Sequence, residues 1–167
     1  IEDRALKNIA VNFYKEANAE LSQNVYDIYI ERIARTFTKE KFIQELEEIA
    51  RAFAYKDSGV HDMLYAEKIF KRIEQSAGKE AFNEELMYLR GFNLEKSKSY
   101  AQARDIYVDF LKKYPRSRHA HQVIYKAGVI STYILRDSKT GRVYFEQLAQ
   151  TTPVSTYSLA GLYQLGL

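Results

Sequence analysis

The sequence contains no cysteine, which excludes disulfide bridges, thiolate metal sites and cysteine nucleophiles. Glycine and proline are scarce, with 7 and 2 residues in a chain of 167, so a turn-rich β-sandwich or barrel is not expected. The longest stretch without a charged residue follows Glu146. It is rich in serine, threonine and glutamine, so it is not predicted to span a membrane. Because 46% of the residues are hydrophobic, the chain can still bury a sizeable core. These features favour long, uninterrupted helices.

An internal repeat of about 37 residues is visible in the C-terminal two thirds of the chain. A Tyr-x-x-Gly pattern begins at Tyr88, Tyr125 and Tyr163. A second set of positions recurs with it. This set consists of Ala103, Tyr107, Phe110, Pro115 and Ser117. The equivalent residues 38 positions later are Gly141, Phe145, Leu148, Pro153 and Ser155. The first three positions also have equivalents 37 residues earlier, at Ala66, Phe70 and Ile73. Such periodicity predicts stacked units that share one continuous core.

Within each unit the apolar residues recur at helical spacing, which predicts antiparallel helix hairpins. The small residues Gly91 and Gly128 on first helices are expected to let the paired axes approach, while Tyr107 and Phe145 fill the next layer. The pattern predicts helices over 3–21, 24–37, 39–56, 61–77, 80–96, 100–113, 118–135, 139–150 and 155–167. The expected fold class is therefore all-α, an α-solenoid of stacked hairpins.

The repeated residues resemble the tetratricopeptide repeat. Gly91, Ala103, Tyr107 and Pro115 fall on its small, alanine, aromatic and proline positions, and the next unit has equivalent residues at all four. Arg90 departs from the leucine that is usual before the small residue. The resemblance implies a right-handed solenoid of repeats over 59–167, cut short at its C-terminal end. Residues 1–58 would then form a helical region of degenerate repeats or a cap.

The run Ala-x-x-x-Tyr-x-x-Phe-Leu-Lys-Lys-Tyr-Pro-x-Ser, from Ala103 to Ser117, is similar to repeats of bacterial envelope proteins. Two of these are the periplasmic coordinator of the Tol-Pal system and the lipoprotein subunit of the outer-membrane barrel assembly machine. The resemblance implies a non-enzymatic scaffold that binds a protein or peptide, in the periplasm or at the envelope, with a cytoplasmic location left open. The alternative is the non-catalytic superhelical domain of a larger enzyme, such as a soluble lytic transglycosylase. Self-association through apolar leucines near the C-terminal end is a further possibility.

The candidate partner-binding residues are aromatic and basic. Tyr88, Phe92, Tyr125 and Tyr133 are expected to line a concave groove, although Tyr88 and Tyr125 have the alternative of packing only against adjacent hairpins. Six basic side chains and no acidic one occur between residues 110 and 136, which can select an acidic partner or form a solvated turn. The basic residues predicted to contact such a partner are Arg116, Arg118 and Lys126.

No motif for catalysis or cofactor binding is present, so neither an enzyme nor a cofactor is predicted. His119 and His121 are two residues apart, a spacing that directs helical side chains to different sides, so no metal site is predicted. The acidic cluster around Glu45 is interpreted as a solvated helix surface. Nucleic acid is not the expected partner because the net charge is only +3 and no nucleic-acid motif accompanies the basic stretch.

Overall fold

A computed structural model describes residues 2–151 and 153–166, and the regular elements in these ranges are all helical. Each of the nine predicted segments corresponds to one α-helix of the described residues, with some differences at the boundaries, which confirms the all-α prediction. Leu167, at the end of the last predicted segment, lies outside the described residues. No helix in the described ranges has the length and apolar character needed to cross a bilayer. The helices are α1 Asp3–Lys15, α2 Ala19–Thr36, α3 Lys39–Phe53, α4 Met63–Ala77, α5 Glu84–Lys96, α6 Tyr100–Lys113, α7 Ala120–Val129, α8 Ser138–Ala149 and α9 Thr156–Leu165, with a 3₁₀ turn at Lys79–Ala81 and a π-helical turn at Ile130–Ile134.

The first turn lies earlier than predicted, at residues 16–18 rather than at 22–23. Ala17 adopts a left-handed conformation with φ of 58°, and the side chain of Asn18 accepts the backbone N–H of Leu21 at 3.2 Å. Because Asn18 caps the helix, α2 begins at the next residue, Ala19. Ser22, which the sequence pattern placed at the turn, is buried inside α2 and its hydroxyl donates to the carbonyl of Ala10.

The chain divides into two compact units, Ile1–Phe82 (unit 1) and Asn83–Leu167 (unit 2). The sequence-based division between residues 58 and 59 marks where the repeat pattern becomes clear, whereas these units are defined by packing. Helix α4 packs against α3, which places it in unit 1 although its residues follow the repeat.

Unit 1 pairs α1 with α2 and α3 with α4 around an aromatic core. Phe53 is fully buried and meets three tyrosine rings edge-on, those of Tyr14, Tyr26 and Tyr65, at centroid distances of 5.3, 5.9 and 4.8 Å. Such edge-to-face pairs add to the stabilisation from area burial alone.

Glu45 links three helices of unit 1 and does not lie on the solvated surface that the sequence suggested. It accepts the hydroxyl of Tyr29 at 2.8 Å and the ammonium of Lys7 at 2.6 Å, and its side chain is only 15% exposed. Asp27 makes a similar pair of contacts, with the hydroxyl of Tyr65 and the ammonium of Lys68.

Unit 2 pairs α5 with α6 and α7 with α8, and α9 packs on α8. A Cβ atom at Gly91 would lie 2.5 Å from Cε1 of Tyr107, and one at Gly128 would lie 2.7 Å from Cε1 of Phe145. Both rings are buried. The rings of Tyr107 and Phe145, which the sequence pattern placed in the next layer, therefore lie directly against Gly91 and Gly128 in the two hairpins.

Candidate functional site

An open cleft in unit 2, which we call the α7 cleft, has a volume of about 320 Å³. Residues of α7 and of the following π-helical turn form its floor, because residues spaced by three and four share one face of a helix. The C-terminal end of α5 and the first residues of α6 and α9 supply its walls. The lining residues are Glu95, Tyr100, Gln122, Tyr125, Lys126, Val129, Ile130, Ile134 and Tyr157.

Tyr125 both packs and lines the cleft, so the two roles left open by the sequence are combined. Its half-buried ring lies 6.1 Å from that of Phe145 and 6.0 Å from that of Tyr157. Tyr88 mainly packs. Its ring stacks on His119 at 4.2 Å, its hydroxyl donates to Oε1 of Gln122 at 2.9 Å, and it is not among the lining residues. Burial raises the pKa of the Tyr88 hydroxyl.

Lys126 on the cleft floor and Glu95 on its wall form an ion pair. Nζ of Lys126 lies 2.8 Å from both carboxylate oxygens of Glu95, and these side chains are only 17% and 22% exposed. The hydroxyl of Tyr107 also donates to Glu95, at 2.6 Å, and burial followed by the nearby carboxylate raises the pKa of this hydroxyl. Nζ of Lys126 lies 5.1 Å from the ring centre of the half-buried Phe92. The positive charge predicted to select an acidic partner is thus compensated.

Arg116 and Arg118 lie in the connection between α6 and α7, outside the cleft lining. Arg116 is exposed. The guanidinium of Arg118 lies 2.9 Å from Oε1 of Glu85, and the hydroxyl of the neighbouring Ser117 donates to Glu84. Helix α5 therefore brings carboxylates to the stretch that contains no acidic residue along the sequence.

Tyr133 does not join the other predicted aromatic residues. It is 53% exposed, its hydroxyl donates to Gln164, and it lines a separate recess of about 210 Å³ beside α8 and α9. In a continuous α-helix Tyr133 would follow Lys126 and Val129 on the cleft face. The π-helical turn, closed by a bond from the N–H of Leu135 to the carbonyl of Ile130, contains one extra residue and places Ile134 there instead.

Several lining residues were not predicted as binding residues. Tyr100, at the start of α6, is half-buried at the cleft. Tyr157 follows His119 by 38 residues, and the two rings cover Tyr125 and Tyr88 respectively. The repeat spacing was the signal that relates these two rings. No comparable signal pairs Glu95 with a cation on another helix.

The histidines take part in packing and hydrogen bonding. Beside the stacked His119, Nδ1 of His121 lies 3.4 Å from Oγ of Ser155. The described part of the chain holds no group of three or more histidine, aspartate or glutamate side chains placed to bind a metal ion. The candidate site is therefore an aromatic and aliphatic cleft with one internal ion pair. No protein-family model, curated protein or solved structure matches this chain.

Proposed function

We propose that this chain is a non-enzymatic protein-interaction scaffold, and that the α7 cleft binds a segment of a partner protein. The observation that carries the proposal is the open face of α7, where Gln122, Tyr125 and Val129 line a cleft, although the ring of Tyr125 also packs on Phe145 of the hairpin partner. Tyrosine is enriched among the residues that dominate binding energy at protein interfaces, and three tyrosines line this cleft. A preformed groove also limits the ordering cost of binding.

The repeated contacts of unit 2 support a tetratricopeptide-like architecture within the proposal. The contact between Gly91 and Tyr107 recurs between Gly128 and Phe145. Tyr88 on α5 and Tyr125 on α7 each lie against a ring at the start of the following first helix, His119 and Tyr157 respectively. The proposed arrangement is a right-handed α-solenoid of such hairpins. The acidic partner, the envelope location and the alternative of an enzyme's superhelical domain stay predictions based on the sequence.

The test is selection of binding peptides from a random display library on the whole chain. We expect the selected peptides to bind the wild-type protein and to lose at least about tenfold in affinity with Val129→Gln, because a polar side chain then occupies the cleft floor. Val143→Gln is the matched control, because Val143 lies on α8 outside the cleft and is 58% exposed. Failure to enrich any peptide, or equal binding by both variants, contradicts the proposal.

A further inference from the structure

The α7 cleft presents apolar walls and little net charge. Six of its nine lining residues are tyrosine, valine or isoleucine. Of the other three, Glu95 and Lys126 neutralise each other through two contacts of 2.8 Å. Gln122 is uncharged. The surface that a bound segment would meet therefore lacks the uncompensated charge needed to select a charged group.

Resting on the function proposed above, we propose that the α7 cleft binds one large, uncharged apolar side chain of the partner, of the leucine or phenylalanine type. A carboxylate would have to displace Glu95 from Lys126, or else lie beside Glu95 and be repelled by it. Separating the pair would also leave one partly buried charge unpaired, which is strongly unfavourable. An apolar side chain gains from burial against the tyrosine and isoleucine side chains without disturbing the pair.

The size and the polar contacts of the cleft agree with a single anchoring side chain. A volume of about 320 Å³ lies at the lower end of the range for ligand pockets. Because Oε1 of Gln122 already accepts the Tyr88 hydroxyl, the NH₂ group of this amide is the donor available to a bound backbone carbonyl. One carbonyl contact beside an apolar pocket orients the segment while the side chain supplies the binding energy.

The experiment is an NMR titration of the whole chain with three blocked amino acids, the N-acetyl amides of phenylalanine, leucine and aspartic acid. We expect the phenylalanine and leucine probes to shift the methyl resonances of Val129, Ile130 and Ile134, with affinities of about millimolar order for so small a contact. The aspartic acid probe should leave these resonances unchanged at the same concentration. Val129→Gln should abolish the shifts, and Val143→Gln should retain them.

Three outcomes overturn the inference. In the first, the aspartic acid probe shifts the same methyl resonances as strongly as the apolar probes do. In the second, neither apolar probe shifts these resonances. In the third, the methyl resonances move with protein concentration alone, because a second copy of the chain occupies the cleft. If display selection still yields peptides that are sensitive to Val129→Gln, the scaffold function stands and only the apolar specificity is rejected. If selection also fails, the scaffold function is rejected as well.

Discussion

The ion pair between Glu95 and Lys126 leads to a quantitative prediction about unit 2. Replacing Glu95 by glutamine leaves the ammonium of Lys126 partly buried without its counter-ion, and replacing Lys126 by methionine keeps most of the packing on Phe92 without the charge. At 2.8 Å the direct attraction is about 6 kcal/mol for an effective dielectric constant of about 20. Desolvation of two side chains that are about one-fifth exposed offsets most of this attraction.

We therefore expect a coupling free energy of about 2 kcal/mol from a double-mutant cycle of Glu95→Gln and Lys126→Met. Each free energy of unfolding is measured by urea denaturation followed by far-UV circular dichroism. Because either substitution alone removes the ion pair, the second substitution should lower the free energy of unfolding only slightly further. The double variant should therefore be only slightly less stable than each single variant.

A second ion pair provides the matched control. Arg142 and Glu146 lie four residues apart on α8 at 2.8 Å, but their side chains are 73% and 45% exposed. The cycle of Arg142→Met and Glu146→Gln should give only about 0.4 kcal/mol, as exposed helical pairs do. If the two cycles give the same small coupling, the pair in the cleft wall is solvated. The pair would then no longer exclude an acidic side chain from the α7 cleft.

Three further predictions concern the hairpins. Gly91→Ala should lower the free energy of unfolding by about 1 kcal/mol, because crowding against the buried ring of Tyr107 outweighs the better helix propensity of alanine; a rise in melting temperature would contradict this. Burial and the adjacent carboxylates raise the pKa of Tyr29, Tyr65 and Tyr107 above the usual 10. Above about pH 10 the unfolded state loses these phenolic protons while the native state keeps them. The free energy of unfolding should therefore fall by up to about 1.4 kcal/mol per pH unit for each tyrosine. The measurement is the midpoint of urea denaturation at increasing pH. Asp62→Ala removes a side chain that accepts two backbone N–H groups at the start of α4 and should cost about 1–2 kcal/mol, whereas Asp62→Asn should retain most of the stability in the same urea assay.

The helices could be predicted because their determinants are local. Apolar spacing and breakers such as Gly78 and Pro115 depend on neighbours along the chain, and all nine predicted segments contain a helix. The error at the first turn has a local cause as well. Ala17 is a good helix former, yet it takes a left-handed conformation that ends α1, with the N–H of Asn18 bonded back to the carbonyl of Phe13, and the Asn18 side chain then caps the next helix.

The site was harder to predict because it depends on register between helices. Tyr125 was predicted to line a groove because the repeat placed it on the first helix of a hairpin, and Lys126 was predicted from the basic stretch; both line the α7 cleft. Tyr133 was grouped with them on the assumption of a continuous α-helix, and no residue type in the sequence marks the π-helical turn that moves it away. The compensation of Lys126 by Glu95 depends on two side chains that are 31 residues apart and meet only after α5 and α7 are packed.

The sequence by itself determined the helical class and the repeat, because both follow from residue spacing along the chain. Only the tertiary structure decided the character of the cleft. Side chains from α5, α6, α7 and α9 converge there, and carboxylates from α5 neutralise cations that appear unopposed along the chain. Charge acts through space over a few ångströms, so a basic stretch of sequence does not by itself determine a basic surface.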